Sequence, residues 1–468
     1  MELEIQKQLS RRDFFGRSGF NLGAIALGNM LGQESAAKTI QSHYAPRAKS
    51  VIFLNMAGAP PHLDMFDYKP KLRELHDQQV PQSLTEGERF AFIGGNAKLM
   101  GPLYDFKQYG QSGMWMSSVV SDWMSEIADD ICMLHGVHTE QFNHSPAALL
   151  MFTGFAREGR PSMGAWVNYG LGSPSRDLPG FVVLSSGRGA RCGTGCFGNG
   201  FLPSVYQGVS LRSKGEPVLY LNNPEGMDSR TRRRSLDTLR SLNEQEFHVV
   251  GDPEIQTRIA QYEMAYRMQQ SVPELADLSS EPAHIHAMYG TQPGQRSFSN
   301  NCLLARRLVE SGVRFVQLNH GEWDLHGGGR VNIPRDCPRL SQETFPGAVA
   351  LVKDLKQRGL LDETLVVWGA EFGRTPMLQG KLGNQAGRDH HKTFTMWMAG
   401  GGLKQGYISG GSDELGYRAL EGSMDVFDVQ ATILHLLGLD HERLTYRFQG
   451  RPYRLTDIFG HVNQDLMA

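Results

Sequence analysis

Five short clusters of histidine, carboxylate and hydroxyl residues hold the side chains that can do chemistry. His62-Leu63-Asp64, with Asp67 close behind, follows the apolar run from Val51 to Leu54. Residues 138–145 read His-Thr-Glu-Gln-Phe-Asn-His-Ser, ending in His144 and Ser145. Trp323-Asp324-Leu325-His326 is the third cluster, and the stretch from Trp368 to Thr375, with Glu371 and Arg374, is the fourth. Gly387-Arg388-Asp389-His390-His391 is the fifth. Imidazole and carboxylate donors suit a divalent ion: zinc, manganese or, with more oxygens, calcium. Each cluster alone reads as an ordinary loop, but five of them at strand ends favour a shared metal site. Ser145-Pro146 is a helix-start signal, and on its own the serine reads as a cap. The same position also sets a hydroxyl where a helix dipole favours an anionic ester. Arg374 has two readings of equal weight. Its planar fork suits sulfate or phosphate oxygens, and it equally suits a pin for Glu371 or for the end of its strand.

The elements that must position these residues alternate. Strands are expected at 50–55, 131–134, 181–184, 313–318, 364–368 and 394–398, all apolar runs. Helices are expected at 118–129, from about 145, at 297–311, at 346–358 and at 426–437. Apolar strands interleaved with helices predict an α/β fold, a mostly parallel central sheet with helices on both faces. In such sheets the ligand site lies beyond the carboxyl ends of the strands, where the clusters fall. Charged helical segments over 228–272 read as part of a helical insertion at about 200–295, the natural place for substrate selection.

The chain has 468 residues, with 47 Lys plus Arg against 49 Asp plus Glu and no long run of one charge. That balance gives no reason to expect a nucleic-acid partner. Ser10-Arg11-Arg12-Asp13-Phe14-Phe15 is a twin-arginine export pattern, followed by a weakly apolar segment at 19–32 and by small residues Ser35-Ala36-Ala37. Residues 1–37 are therefore expected to be a Tat signal peptide, and the destination periplasmic or extracellular. The 19–32 segment is too short to span a bilayer, so no stable membrane span is expected. Five cysteines cannot all pair within one chain. Cys192 and Cys196 are spaced for a local disulfide, with buried thiols the equal alternative.

Taken in order, Arg11-Arg12-Asp13-Phe14, His62-Leu63-Asp64, Asn143-His144-Ser145-Pro146, Trp323-Asp324-x-His326, Glu371-Phe372-Gly373-Arg374-Thr375 and Gly387-Arg388-Asp389-His390-His391 resemble a known family. It is the sulfatase-like domain of unknown function 1501, Tat-exported bacterial members of the alkaline-phosphatase superfamily. The resemblance implies one alkaline-phosphatase-like domain over 48–462. It further implies a hydrolase of sulfate or phosphate esters, with Ser145 as nucleophile and Arg374 on the ester oxygens. Asp64, Asp324, His326, His390 or His391, and Glu371 are the implied metal candidates, with His62, Asp67 and Asp389 beside them. His144 is the candidate general base if the metal activates water instead. The expected partners are a small-molecule or polysaccharide ester and the Tat machinery.

Three departures bear on this. Glu371-Phe372 stands where phosphatases carry Asp-His, Asp64 lies nine residues beyond Asn55, and no Cys-x-Pro-x-Arg motif exists to mature into formylglycine. The lost ligand motivates a rival reading, a non-catalytic exported binding or assembly protein with a degenerate metal site.

Overall fold

A computed structural model describes residues 42–87, 97–212, 226–327, 331–379 and 385–468, with a few isolated positions between them. The expected signal peptide lies outside the described residues.

Eight strands form the main sheet: β1 (Ser50–Met56), β2 (Ile131–Val137), β3 (Phe181–Ser186), β4 (Val209–Leu211), β5 (Phe315–His320), β6 (Thr364–Gly369), β7 (Phe394–Ala399) and β8 (Tyr407–Gly410). Their spatial order is β8-β2-β7-β6-β1-β5-β3-β4. β1 pairs parallel with β5 and β6, and β3 pairs parallel with β4 and β5. β7 alone runs against its neighbours, antiparallel to both β2 and β6. The sheet is thus mostly parallel, as its apolar runs predict.

β1 shows why those runs are continuous. Ile52, Leu54 and Met56 enter one core with the helices α4 (Phe298–Glu310) and α5 (Ile333–Gln357). Val51 and Phe53 enter a second core with α1 (His144–Thr153) and α6 (Val426–Leu436). A strand buried on both faces has no polar side to alternate with.

Two long helices, α2 (Ser229–Val250) and α3 (Pro253–Ala276), form an antiparallel pair broken at Gly251-Asp252-Pro253. Gly251 takes the left-handed conformation that ends α2, and Asp252 caps α3 by accepting from the Glu254 N–H. Arg233 bridges the pair to Glu263 at 2.6 Å. α3 does not overhang the carboxyl edge of the sheet. Its Gln261–Met268 stretch lies against Gly172, Pro179 and Gly180, which lead into β3, and against Ser204 to Val209, which lead into β4. Burial of Met268 and Val272 against the core holds it at that amino end. Cys192 and Cys196 are joined in a disulfide, while Cys132, Cys302 and Cys337 are buried thiols. Among the described residues no helix is long and apolar enough to cross a membrane.

Candidate metal centre

The ends of β1, β5 and β6 are level, because Asn55 pairs with Asn319 on one side and Gly369 on the other. Loops leaving these ends therefore meet. The loop after β5 carries Asp324 and His326, the loop after β6 carries Glu371 and Arg374, and the loop after β2 leads to His144 at the first turn of α1. Because β7 is reversed, the residues entering it reach the same edge. Gly373–Arg374 pairs there with Asp389–His390 as a short antiparallel ribbon.

Donor atoms of His144, Asp324, His326 and Asp389 all lie within 4.8 Å of one another. His144 Nε2 is 3.0 Å from Asp324 Oδ1 and 3.4 Å from Asp389 Oδ2, and His326 Nε2 is 2.5 Å from Asp324 Oδ1. All four are partly exposed. The opposite ring nitrogen of His144 is 2.7 Å from Glu371 Oε1, which also accepts from the Gly58 N–H at 2.9 Å. A proton held on Nδ1 by Glu371 leaves the Nε2 lone pair facing the cluster, the arrangement that orients a metal-binding imidazole. The Phe372 ring lies against the same imidazole, centroids 4.8 Å apart. The donor set fits a divalent cation. Glu371-Phe372, the departure from the phosphatase pattern, holds His144 in place.

The charges agree. Burial works against a charged His144, but its hydrogen bonds to Asp324 and Glu371 outweigh this and raise it to about 9. Burial likewise opposes a charged Asp324, yet His144, His326 and Arg374 hold its carboxyl well below the usual range.

Arg374 is buried, and its donors are committed. Nε donates to the Ala59 carbonyl at 3.0 Å, and one terminal nitrogen reaches the Gly58 carbonyl at 2.6 Å and Asp324 at 3.1 Å. The other terminal nitrogen holds Asp389. Gly58 must be glycine here. Its φ is +115°, and a Cβ would fall 2.4 Å from the Asp324 backbone nitrogen.

Arg191, unremarked in the sequence, approaches from β3 and sets a terminal nitrogen 3.0 Å from Asp324 Oδ2. Its side chain is partly exposed, and its only sequence signal is a position beside Cys192. Ser145 is the second residue of α1, exposed, and not the cap; that position belongs to Asn143, whose side chain makes no capping bond.

The remaining candidates lie elsewhere. Asp64 is buried, accepts from the Leu103 N–H at 2.8 Å, and is pushed up by burial to about 7. His62 is buried behind the ribbon, with Nδ1 3.5 Å from the Arg374 backbone nitrogen, and burial lowers it to about 4. Asp67 pairs with Lys69 at 3.0 Å and accepts from Ser412. His390 donates to the Tyr417 carbonyl at 2.6 Å, and the His391 carbonyl accepts from the Thr139 N–H at 2.8 Å. None of these joins the four-residue group, and Glu371 touches it only through His144.

A family model described as a protein of unknown function, DUF1501, matches residues 48–467. Comparison with curated proteins gives no match. Among solved structures, the PsFucS1 sulfatase from Pseudoalteromonas sp. is 11% identical, with 91% of this chain and 73% of that one covered at a TM-score of 0.35. An alkaline phosphatase superfamily protein from Vibrio parahaemolyticus is 11% identical over 88% and 74%, TM-score 0.36. The phosphonate monoester hydrolase SpPMH from Silicibacter pomeroyi is 14% identical over 68% of each, TM-score 0.27. Likeness of this degree carries no argument about activity.

Proposed function

This chain belongs to the DUF1501 family, and we propose that it is an exported, metal-dependent hydrolase of sulfate or phosphate esters. The observation that carries the reading is the convergence of His144, Asp324, His326 and Asp389 within 4.8 Å at the carboxyl edge of the sheet. A divalent cation held there would neutralise ester oxygens and lower the pKa of a nearby hydroxyl. The chain's own residues have separate tasks. Glu371 and Phe372 fix the His144 ring, and Arg374 ties the Asp324 and Asp389 loops to the turn after β1. Ser145, exposed at a helix start, is the nucleophile of this reading, and its Oγ bonds to sulfur or phosphorus as the ester oxygen leaves. Arg191, partly exposed beside Asp324, suits the remaining charge on the transferred group. The substrate is a small-molecule or polysaccharide ester, met after Tat export.

Elemental analysis of the purified protein tests this first. About one zinc, manganese or calcium per chain, lost in Asp324→Ala/His326→Ala, is the expected result. Ester cleavage that survives undiminished in Ser145→Ala would overturn the role of the serine.

A second reading has one observation in its favour. Arg374 and Arg191 both pair with Asp324, so the carboxylate is compensated by the protein itself. In that reading the chain is a binding or assembly protein with a degenerate site. Absence of metal after reloading, with no turnover on a broad ester panel, would select it.

A further inference from the structure

The helical pair α2–α3 stands at the amino end of the sheet, opposite the candidate metal centre, so substrate selection does not account for it. Arg233 and Arg240 of α2 both reach Glu263 of α3, at 2.6 and 2.8 Å, and Arg233 also lies over the Tyr266 ring at 5.0 Å. Leu236 is buried on the same side and Phe247 half-buried. One face of α2 is therefore covered by α3.

A second stripe runs along α2 about a quarter turn from that face. Leu239, Leu242 and Val249 stand on it, 41%, 56% and 70% exposed. Their spacing, three residues and then seven, is that of a seam along which one helix packs on another. Single exposed apolar side chains are ordinary, but a row of them on one side of a 22-residue helix marks a docking face.

The polar residues of the stripe identify what docks. Glu246 lies between Leu242 and Val249, exposed and with no ion pair among the described residues. One turn before Leu239 the stripe carries the small Ser235, with Arg234 next to it and Arg232 nearly one turn further back. Neither arginine makes an ion pair among the described residues. In antiparallel pairing, a two-fold axis midway between Leu239 and Leu242 sets Leu239 of each copy level with Leu242 of the other. The same axis sets Ser235 and its arginines level with Glu246. Parallel pairing would instead place Glu246 on Glu246 and arginine on arginine. The whole helix has the same polarity. With Arg233 and Arg240 answered by Glu263 and Asp237, the first half keeps Arg230, Arg232 and Arg234, while residues 241–250 hold Glu244 and Glu246 and no Lys or Arg.

We infer that α2 is a homodimer interface, in which two copies of this chain pair antiparallel through Leu239 and Leu242. The leucines supply the affinity by leaving water. Arg232 and Arg234 of each copy face Glu246 of the other and fix the direction of pairing. The interface is isologous, so it closes at two copies. None of this depends on the hydrolase reading.

Sedimentation equilibrium of the full folded chain over a dilution series tests the inference. A reversible dimer is expected. Leu239→Glu/Leu242→Glu should be monomeric at every concentration while keeping the wild-type helix content and a cooperative unfolding transition. A wild-type chain that is monomeric throughout, or a dimer that survives the two glutamates, overturns the inference. Charge reads the direction. Glu246→Arg should weaken the dimer about tenfold, and adding Arg232→Glu/Arg234→Glu to the same chain should restore it. A dimer indifferent to Glu246→Arg overturns the antiparallel pairing. Cross-linking reads it a second way. Under mild oxidation Leu242→Cys should join its own copy across the axis, whereas Val249→Cys should not, because its two copies stand about 25 Å apart along the helices. A covalent dimer through Val249→Cys also overturns the pairing.

Discussion

Among the described residues, two dense networks of charge, one buried and one at the partly exposed edge of the sheet, are built differently. Under α4, Arg306 lies 2.6 Å from Glu281, 2.5 Å from Glu310 and 3.1 Å from Asp354, while Arg358 reaches Asp354 at 2.7 Å and Glu310 at 3.0 Å. At the carboxyl edge, Arg374 and Arg191 play the same part around Asp324 and Asp389. The difference is histidine. A guanidinium keeps its proton and has no lone pair to offer, so the Arg306 network can only be a brace. His144 and His326 can give up a proton at Nε2, so the second network can exchange its proton for a metal ion. Buried charge alone therefore does not mark a site; convergent imidazoles among the carboxylates do.

The comparison can be broken most completely by removing ligands. Asp324→Ala/His326→Ala is expected to reduce bound metal from about one per chain to none, as read by elemental analysis, whereas Arg306→Ala leaves metal content untouched. Arg306→Ala should instead cost about 1–3 kcal/mol of stability in a denaturant titration, because the buried Asp354 loses one of its two guanidinium partners and keeps Arg358. A metal loss in Arg306→Ala would erase the distinction.

Asp64 sharpens it from a third side, as a buried carboxylate with no cation in contact among the described residues. Its pKa is raised by burial from 3.8 to about 7. The folded state thus favours the protonated acid. This contribution is fully present below about pH 4 and is lost as pH rises through about 7. Asp64→Asn, which keeps an acceptor for Leu103, should abolish that fall, whose upper limit is on the order of 4 kcal/mol. A stability–pH curve from 4 to 8 that is the same in wild type and variant would refute it.

Smaller effects test the histidine itself. Glu371→Gln removes the carboxylate behind His144 and is expected to weaken metal affinity about 10–100-fold with the ligands intact. Metal titrations against a competing chelator measure this. Finally, with metal-free His144 raised to about 9, metal binding at pH 7 must expel its Nε2 proton. Calorimetry in buffers of different ionisation enthalpy should count about one proton released, and metal affinity should fall about tenfold per pH unit below 9. No proton release would mean that His144 is not a ligand.

The fold was legible where burial is two-sided. Val51–Leu54 and Leu365–Val367 are apolar without alternation, which only a covered central strand explains. The edge strands β4 and β8 were not legible, since three or four half-buried residues such as Tyr407–Gly410 carry no such run. α5 begins at Ile333, far ahead of the expected 346, because it continues through Pro338 and Pro346, residues that read as breakers. For the site, Asp324-x-His326 is a local pattern and can be seen in three residues. The tasks of Glu371 and Arg191 depend on contacts with His144 and Asp324 across more than a hundred residues of chain, and no spacing encodes them. Asp64 shows the converse: its loop looked suitable, but burial took it to Leu103 instead.

The reversed strand β7 also sets an order of events during synthesis. β2 touches the rest of the sheet only through β7, which comes more than two hundred and fifty residues later. Until the ribosome has released residue 399, no strand links β2 to β6, and His144 has no fixed place opposite Asp324. On the metal-binding reading, capture must therefore wait for a nearly finished chain, and a nascent chain halted before β7 would carry all four candidate ligands with no centre to put them in.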